Sequence, residues 1–317
     1  MYSDETKAKI ESLFNQGLSG RKIARLLNLS KSGVNYYLAS LEVEGRTKRT
    51  VKPVIKGKNG PKILLFDLES TPSIAAVFGR FKTNISLNSV IQEGGWLLSA
   101  AWKFLGEDKV HSVVLTPEEA LKQDDSRIVA ELYEAFEDSD IVVAHNLLNF
   151  DLPLFRTRLI MNRFPVHKSV KKVDTLQIAK KLKFNSNKLD GLAQQIGLQR
   201  KLENSGMPLW LDCMQGKPEA LKEMRTYNEQ DIVSLEEVYL TLRAFDTKAP
   251  NASHYHQDDV LRCHVCGSHE VEYTGNSVFT AASEFKEVQC KSCGTRSRDR
   301  KNTMTQDKRK SLLTNIV

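Results

Sequence analysis

Nowhere in the 317 residues does an apolar run approach the about 18 needed to cross a bilayer, so no membrane span is expected. The polar start, Met1-Tyr2-Ser3-Asp4-Glu5-Thr6, lacks the layout of a secretory signal. Cysteine is scarce: of five, four fall in two C-x-x-C pairs, which without a secretion signal favours metal over disulfides. The expected location is therefore cytoplasmic, the host cytoplasm if the protein is viral. What is present, 40% hydrophobic and 27% charged residues, is the composition of a soluble globular chain. The length suffices for one sizeable core plus small satellite domains.

Charge is unevenly placed. Residues 1–62 hold 13 Lys/Arg against 5 Asp/Glu, and residues 251–317 hold 10 against 8. The stretch between them is mildly acidic. A basic arm on such a core suits a protein that grips a polyanion with one part and does metal chemistry with another.

Residues 4–41 keep helical apolar spacing: Ile10, Leu13, Phe14 and Leu18, then Ile23, Ala24, Leu26 and Leu27, then Val34, Tyr37, Leu38 and Leu41. Gly17-Leu18-Ser19-Gly20 and Asn28-Leu29-Ser30 break the run, with Ser19 and Ser30 as helix caps. Three short helices with Ala24 facing a tight turn resemble a helix-turn-helix module of the resolvase and transposase type. The resemblance implies that the helix from Lys31 to Ala39 enters a DNA major groove. Lys31, Ser32, Asn35 and Tyr36 would face bases or phosphates, and Arg21, Lys22 and Arg25 the backbone. A three-helix bundle used for protein contacts is the alternative. Residues 43–61 form a basic, Gly- and Pro-containing linker with little to bury.

The segment Ile63-Leu64-Leu65-Phe66-Asp67-Leu68-Glu69-Ser70 reads as a buried strand that ends in two carboxylates before Thr71-Pro72. Side chains alternate along a strand, so Asp67 and Glu69 share a face. At about 4 Å and an effective dielectric near 20, two such charges repel by roughly 4 kcal/mol. Either one keeps a proton or a cation lies between them. Strands are then expected at 96–104 and 109–115, joined by Gly106-Glu107-Asp108 and forming an antiparallel meander with the first strand. A helix is expected over 126–138, a short apolar strand over 141–145, and a last strand over 170–175. Helices follow at 176–183, 188–196, 217–226 and 227–243. The pattern predicts an α/β sheet covered by helices.

Two further clusters follow in the chain. Asn146-Leu147-Leu148-Asn149-Phe150-Asp151 leads into a helix with Pro153 in its first turn. Tyr227 and Asp231, four apart, lie on one helical face. In order these are D-x-E, N-x-x-x-F-D and Y-x-x-x-D. Together they resemble the three motifs of the DEDD superfamily, the DnaQ-like 3′–5′ exonucleases of ribonuclease H-like fold. The tyrosine marks the DEDDy branch, since the histidine branch would need a His where Thr226 stands. The Asn146-to-Asp151 spacing looks like the proofreading domain of family B DNA polymerases. Lys188-Leu189-Asp190-Gly191-Leu192-Ala193 and the run from Leu209-Trp210 to Tyr227 look more like stand-alone phage and bacterial exonucleases. The resemblance covers about residues 62–246.

It implies two Mg²⁺ or Mn²⁺ ions bound by Asp67, Glu69, Asp151 and Asp231, with Asp67 between both. Tyr227 would orient the attacking water or the scissile phosphate. Asn146, Phe150, Ser70 and Thr71 would grip the terminal nucleotide, Phe150 by stacking. His145, at a strand end, is read as a packing or positioning residue, Asp174 as a helix cap, Lys188 as a solvated lysine and Cys213 as a packed thiol.

Cys263-His264-Val265-Cys266-Gly267 and Cys290-Lys291-Ser292-Cys293-Gly294 are two C-x-x-C-G knuckles. Four thiolates in this spacing suit one structural Zn²⁺, with His254, His256, His264 and His269 outside the ligand set. The segment, 258–300, resembles zinc ribbons fused to phage nucleases and transposases, and a basic tail, 301–317, follows it.

The expected whole is a helix-turn-helix domain (1–42), a ribonuclease H-like mixed sheet flanked by helices, and a zinc ribbon. The expected reaction releases nucleoside 5′-monophosphates from single-stranded or frayed DNA 3′ ends in replication, proofreading or repair. DNA is the expected partner, through its 3′ ends and as duplex at the helix-turn-helix, and a DNA polymerase is a further candidate. The alternatives are an exoribonuclease, a structure-selective endonuclease, or a catalytically silent DNA-binding regulator or replication accessory.

Overall fold

A computed structural model describes residues 2–15, 23–24, 26–30, 34, 37–38, 60–79, 81, 84–198 and 205–314. The chain divides into two compact units, 1–55 and 56–317. In the first, helix α1 (Asp4–Asn15) places Ile10 against Ile23, Ala24, Val34 and Leu38, a small core with Leu13, Phe14, Leu27 and Tyr37 packed around it. Leu26, expected inside, is 61% exposed, so the apolar stripe is narrower than the spacing implied. Asn28 takes a left-handed φ of 52°, which ends its helix at the expected break. Arg21, Lys22, Arg25, Lys31, Ser32, Asn35 and Tyr36, the expected DNA contacts, lie outside the described residues.

The second unit begins with β1 (Ile63–Ser70) and a small hairpin, β2 (Ile74–Ala75) and β3 (Val90–Gln92). β4 (Leu97–Phe104) and β5 (His111–Val114) follow, then α2 (Pro117–Lys122), α3 (Ser126–Asp138) and β6 (Ile141–Ala144). Next come α4 (Asp151–Met161), β7 (Lys171–Asp174), α5 (Thr175–Ala179), α6 (Leu189–Gln195), α7 (Met207–Met214) and α8 (Pro218–Leu242). The five long strands form one mixed sheet in the order β5-β4-β1-β6-β7. β4 is antiparallel to both β1 and β5, while β6 is parallel to both β1 and β7. Glu107 N–H closes the expected turn on Phe104 at 3.0 Å. The central strand is β1, with the short apolar β6 beside it. Among the described residues no helix is long and apolar enough to cross a membrane.

β1 explains the two-sided core. Leu64, Phe66 and Leu68 face one cluster, built with Val129, Leu132 and Phe136 of α3 and with Phe155 and Leu159 of α4. Ile63 and Leu65 face a second, built with Leu192 of α6 and Ile232, Leu235 and Tyr239 of α8. Period-2 alternation puts Asp67 and Glu69 on the Ile63 and Leu65 face, beneath α8. Their cross-strand partners are the small Ala101 and Ser99, which leave room for α8 to lie close. The residues expected to form two helices, 217–226 and 227–243, are one 25-residue helix. Pro218 starts it, and no Gly or Pro follows before Leu242 to interrupt it.

One buried ion pair ties the layers together. Asp125 has no exposed surface and accepts from Arg158 Nε at 2.7 Å, from Asn162 Nδ2 at 2.8 Å and from the Leu97 backbone N–H at 2.8 Å. It thereby joins the start of α3, the end of α4 and the first residue of β4.

The C-terminal part is a three-stranded sheet of β8 (Val271–Thr280), β9 (Ser283–Cys290) and β10 (Arg296–Asn302), in the order β10-β9-β8. Arg296, Arg298, Arg300 and Lys301 thus belong to a strand. A short helix, α9 (Gln306–Lys310), is capped by Thr305.

Removing Asp125 leaves the half-buried Arg158 guanidinium without its counter-charge. Asp125→Ala is expected to cost about 3–5 kcal/mol, read as a lower urea midpoint by tryptophan fluorescence.

Candidate active site and cysteine cluster

The acidic end of β1 meets the middle of α8. Asp67, Glu69 and Asp231 each present a carboxylate oxygen within 4.8 Å of the others. Asp67 and Glu69 are half-buried and Asp231 is 5% exposed. Three carboxylates this close repel one another, and a divalent cation with hard oxygen ligands fits that donor set.

Two residues that sequence reasoning did not single out support this cluster. Asn228 is fully buried, and its Nδ2 donates to Asp67 Oδ2 at 2.7 Å. Ser99, also fully buried, donates from Oγ to Asn228 Oδ1 at 2.8 Å. The signal was available: Asn228 and Asp231 are i and i+3, so an amide shares the carboxylate's face. Tyr227 is half-buried, with Trp210 of α7 edge-on at 6.0 Å between ring centroids.

Asp151 is 1% exposed at the first turn of α4, where Phe150, and not Asp151 itself, is the N-cap. It stands outside the three-carboxylate group. Both its oxygens are buried without a hydrogen-bond partner. Burial pushes its carboxyl up to about 8. The backbone N–H groups of Asp151 and Leu68 oppose that shift from beyond hydrogen-bond geometry, while Asp174 and Glu69 add to it. Among the described residues neither oxygen has a hydrogen-bond partner, and a metal ion fits a carboxyl so placed.

The loop into α4 is pinned by Asp174, which does cap α5 as expected, accepting from Leu176 N–H at 3.0 Å. The same carboxylate accepts from the Asn146 and Leu148 backbone N–H groups, each at 3.1 Å. It thereby holds Asn146 in a left-handed φ of 73°, a conformation asparagine tolerates. Phe150 is 42% exposed, with its ring available to stack.

His145 occupies a packing position. Its Nε2 lies 2.9 Å from the Asn187 carbonyl and so carries the proton, and its Nδ1 lies 2.9 Å from Thr175 Oγ1. Burial lowers its pKa and keeps it neutral, with both nitrogens engaged. Thr71 is engaged within the protein. Its backbone N–H bonds Trp96 O at 2.9 Å, its carbonyl accepts from Gly95 N–H, and its side chain is 4% exposed. The half-buried Ser70 precedes it at the strand end. The bracing depends on Gly94, where a Cβ would lie 2.4 Å from the Pro72 carbonyl carbon. Lys188 is exposed, as expected. Cys213 is fully buried, with burial pushing its thiol up to about 12, the inert state expected of a packed thiol.

Cys263, Cys266, Cys290 and Cys293 form the second ligand group, with sulfurs within 4.8 Å of one another and no histidine among them. Cys263 and Cys293 Sγ are 3.6 Å apart, as are Cys266 and Cys290 Sγ, too far for disulfides. Thiolates at about 2.3 Å around a tetrahedral ion lie near 3.8 Å from one another, so the set fits zinc. Coupling between these thiols lowers Cys263 and raises Cys266. His264 is engaged elsewhere, with Nδ1 2.9 Å from Ser297 Oγ. A groove of about 1020 Å³ beside this cluster is lined by Arg298, Arg300 and Phe285 and by none of the four acids.

Asp151 also links to stability. On folding its carboxyl binds a proton between its ordinary pKa near 4 and about 8, so protein free of Mg²⁺ and Mn²⁺ loses stability as pH rises through that window. Asp151→Asn removes the titrating group. It is expected to melt higher than wild type at pH 8 and no higher at pH 4, by thermal denaturation in the absence of added metal. Equal differences at both pH values would mean that the carboxyl folds ionised.

Residues 96–243 match the family model of the RNase_H superfamily described as RNase_H_2. The matched span includes Asp151, Tyr227 and Asp231 and begins after Asp67 and Glu69. No curated protein matches the sequence. Among solved structures, the family B DNA polymerase from the hyperthermophilic archaeon Pyrobaculum calidifontis is similar at 15% identity and a TM-score of 0.43. The similarity covers 58% of this chain and 25% of that one, so the chain spans about a quarter of the polymerase's length. By its five-stranded mixed sheet and flanking helices the second unit is ribonuclease H-like in fold, consistent with the match over residues 96–243.

Proposed function

We propose that the protein is a metal-dependent 3′–5′ exonuclease that releases nucleoside 5′-monophosphates from single-stranded or frayed DNA 3′ ends. The observation that carries this reading is the convergence of Asp67, Glu69 and Asp231 within 4.8 Å at the end of β1, under the helix that also carries Tyr227. Asp67, Glu69 and Asp231 would hold one divalent ion, and Asp151 would join Asp67 in holding a second. When bound, Mg²⁺ or Mn²⁺ supplies Lewis acidity, lowering the pKa of the attacking water and offsetting charge on the leaving oxygen.

The remaining work falls to this chain's own residues. Tyr227, with Trp210 edge-on to its ring, orients the attacking water or the scissile phosphate through its hydroxyl. Phe150 stacks on the terminal base, and Asn146 and Ser70 flank it. The Asp174 clamp keeps Asn146 and Phe150 in place before substrate arrives, which lowers the ordering cost of binding. The four cysteines hold a structural zinc. The helix-turn-helix contacts through Arg21, Lys22, Arg25, Lys31, Ser32, Asn35 and Tyr36 remain part of the same proposal, as does service beside a DNA polymerase.

The test is digestion of 5′-labelled single-stranded DNA with Mg²⁺ by wild type and Asp67→Ala, with a matched RNA as the second substrate. The expected outcome is a ladder shortening from the 3′ end, reduced by roughly 100-fold or more in the variant. No shortening with either Mg²⁺ or Mn²⁺ refutes the enzyme, and a ladder on RNA alone moves the substrate class. Metal analysis of the purified protein should find about one zinc per chain, lost in Cys290→Ser along with the folding cooperativity of the 258–300 segment.

A further inference from the structure

We infer that β10 and the groove beside it bind single-stranded DNA, with Arg300 on a phosphate and an unpaired base stacked on Arg298, itself seated on Phe285. The inference rests on the nuclease reading for its choice of strand and deepens it, giving the DNA that is shortened a second contact away from the carboxylates.

The argument starts from charge. From 296 to 310 the chain carries seven Lys/Arg against two Asp and no Glu. Arg296 is answered by Glu287 at 3.5 Å, and Arg262, which also lines the groove, donates to both oxygens of Asp258. Asp299 turns toward β9, where it accepts from the Lys286 backbone N–H at 3.3 Å. Asp259 is the other acid of the groove. Among the described residues Arg298 and Arg300 form no ion pair. Neighbouring cations left without counter-charges repel one another, and a polyanion is the ligand whose binding relieves that repulsion.

A stack supplies the second observation. The Arg298 guanidinium lies over the Phe285 ring, 3.9 Å from its centroid, and both residues line the groove of about 1020 Å³. Arg298 is exposed, so the platform is presented to solvent. Bases stack on guanidinium planes and aromatic rings only when their own faces are uncovered, which a duplex does not allow. The ligand is therefore single-stranded. Arg296, Arg298 and Arg300 are exposed and alternate with the half-buried Ser297 and Asp299. Alternate residues of a strand stand about 6.5–7 Å apart, comparable with the repeat of an extended nucleotide strand. The frame is fixed in advance. Ser297 Oγ lies 2.9 Å from His264 Nδ1, and beyond β10 the Thr303 backbone N–H bonds the Glu284 carbonyl at 2.9 Å. A preformed track lowers the ordering cost of binding.

The test follows the fluorescence anisotropy of a labelled oligothymidylate on the full-length, zinc-loaded protein, without added Mg²⁺ or Mn²⁺ and across a salt series. Arg300→Gln should bind more weakly and flatten the slope of log affinity against log salt by about 0.7, the share of one phosphate contact. Arg298→Lys keeps the charge and loses the flat platform, so its affinity should fall about 5-fold or more with the salt slope unchanged. With Mg²⁺ added, both variants should raise KM for a long single strand and leave KM for a trinucleotide and kcat unchanged. Wild-type affinity in either variant overturns the inference. So does an equal loss of binding to a duplex, or tighter wild-type binding to oligouridylate than to oligothymidylate. Zinc content and melting temperature are read for each variant. If Arg298→Lys loses zinc or its melting transition, Arg300→Gln, outside the Phe285 stack, decides: an unchanged salt slope there overturns the inference equally. Binding that responds to these substitutions in a protein that never shortens DNA is a different failure, one that refutes the nuclease and leaves the track standing.

Discussion

Mutual repulsion of carboxylates at the end of the central strand is the constraint around which this fold is arranged. A strand buried on both faces would ordinarily remain apolar to its end. Here the Ile63 and Leu65 face turns acidic at Asp67 and Glu69, and α8 adds Asp231. Packing elsewhere holds these groups together against their charge. The large two-sided core contributes that stabilisation, and the cluster is affordable only because apolar burial on either side of β1 is extensive.

The surroundings of each acid differ, and the difference gives each a separate chemistry. Asp67 is met by a neutral amide donor. Asp151 is buried with no hydrogen-bond partner among the described residues, and burial favours its protonated form. Asp174 receives backbone N–H groups from two segments and has become a structural clamp, although it too ends a strand. Residue type alone does not separate these roles; the supply of donors around each carboxylate does.

The small C-terminal sheet solves a different problem. Its buried core consists of Cys263, Val265 and Cys290, with Ala249, Cys266, Val271 and Cys293 around them. So few apolar side chains cannot hold three strands, and a metal bound by four sulfurs can replace a hydrophobic core in a domain of this size. β10 can then be almost wholly polar, with four basic residues on the strand.

The sheet-and-helix class, the acidic strand β1, the Tyr227–Asp231 face and the paired cysteines were all legible in the sequence, because each depends on local periodicity or short spacing. A strand alternates every two residues and a helix returns every three to four, so a share of a face can be counted without a structure. Other features depended on contacts between distant segments. The union of two expected helices into α8 followed from a core that runs its full length. The backbone of Thr71 is bonded by Trp96 and Gly95 from 24–25 residues away. Asn228 and Ser99 are 129 residues apart, and nothing in either neighbourhood announces their bond. The sequence alone determined which groups could share a face. The tertiary structure decided which of them meet, since hydrogen-bond direction and burial arise only where separate elements pack.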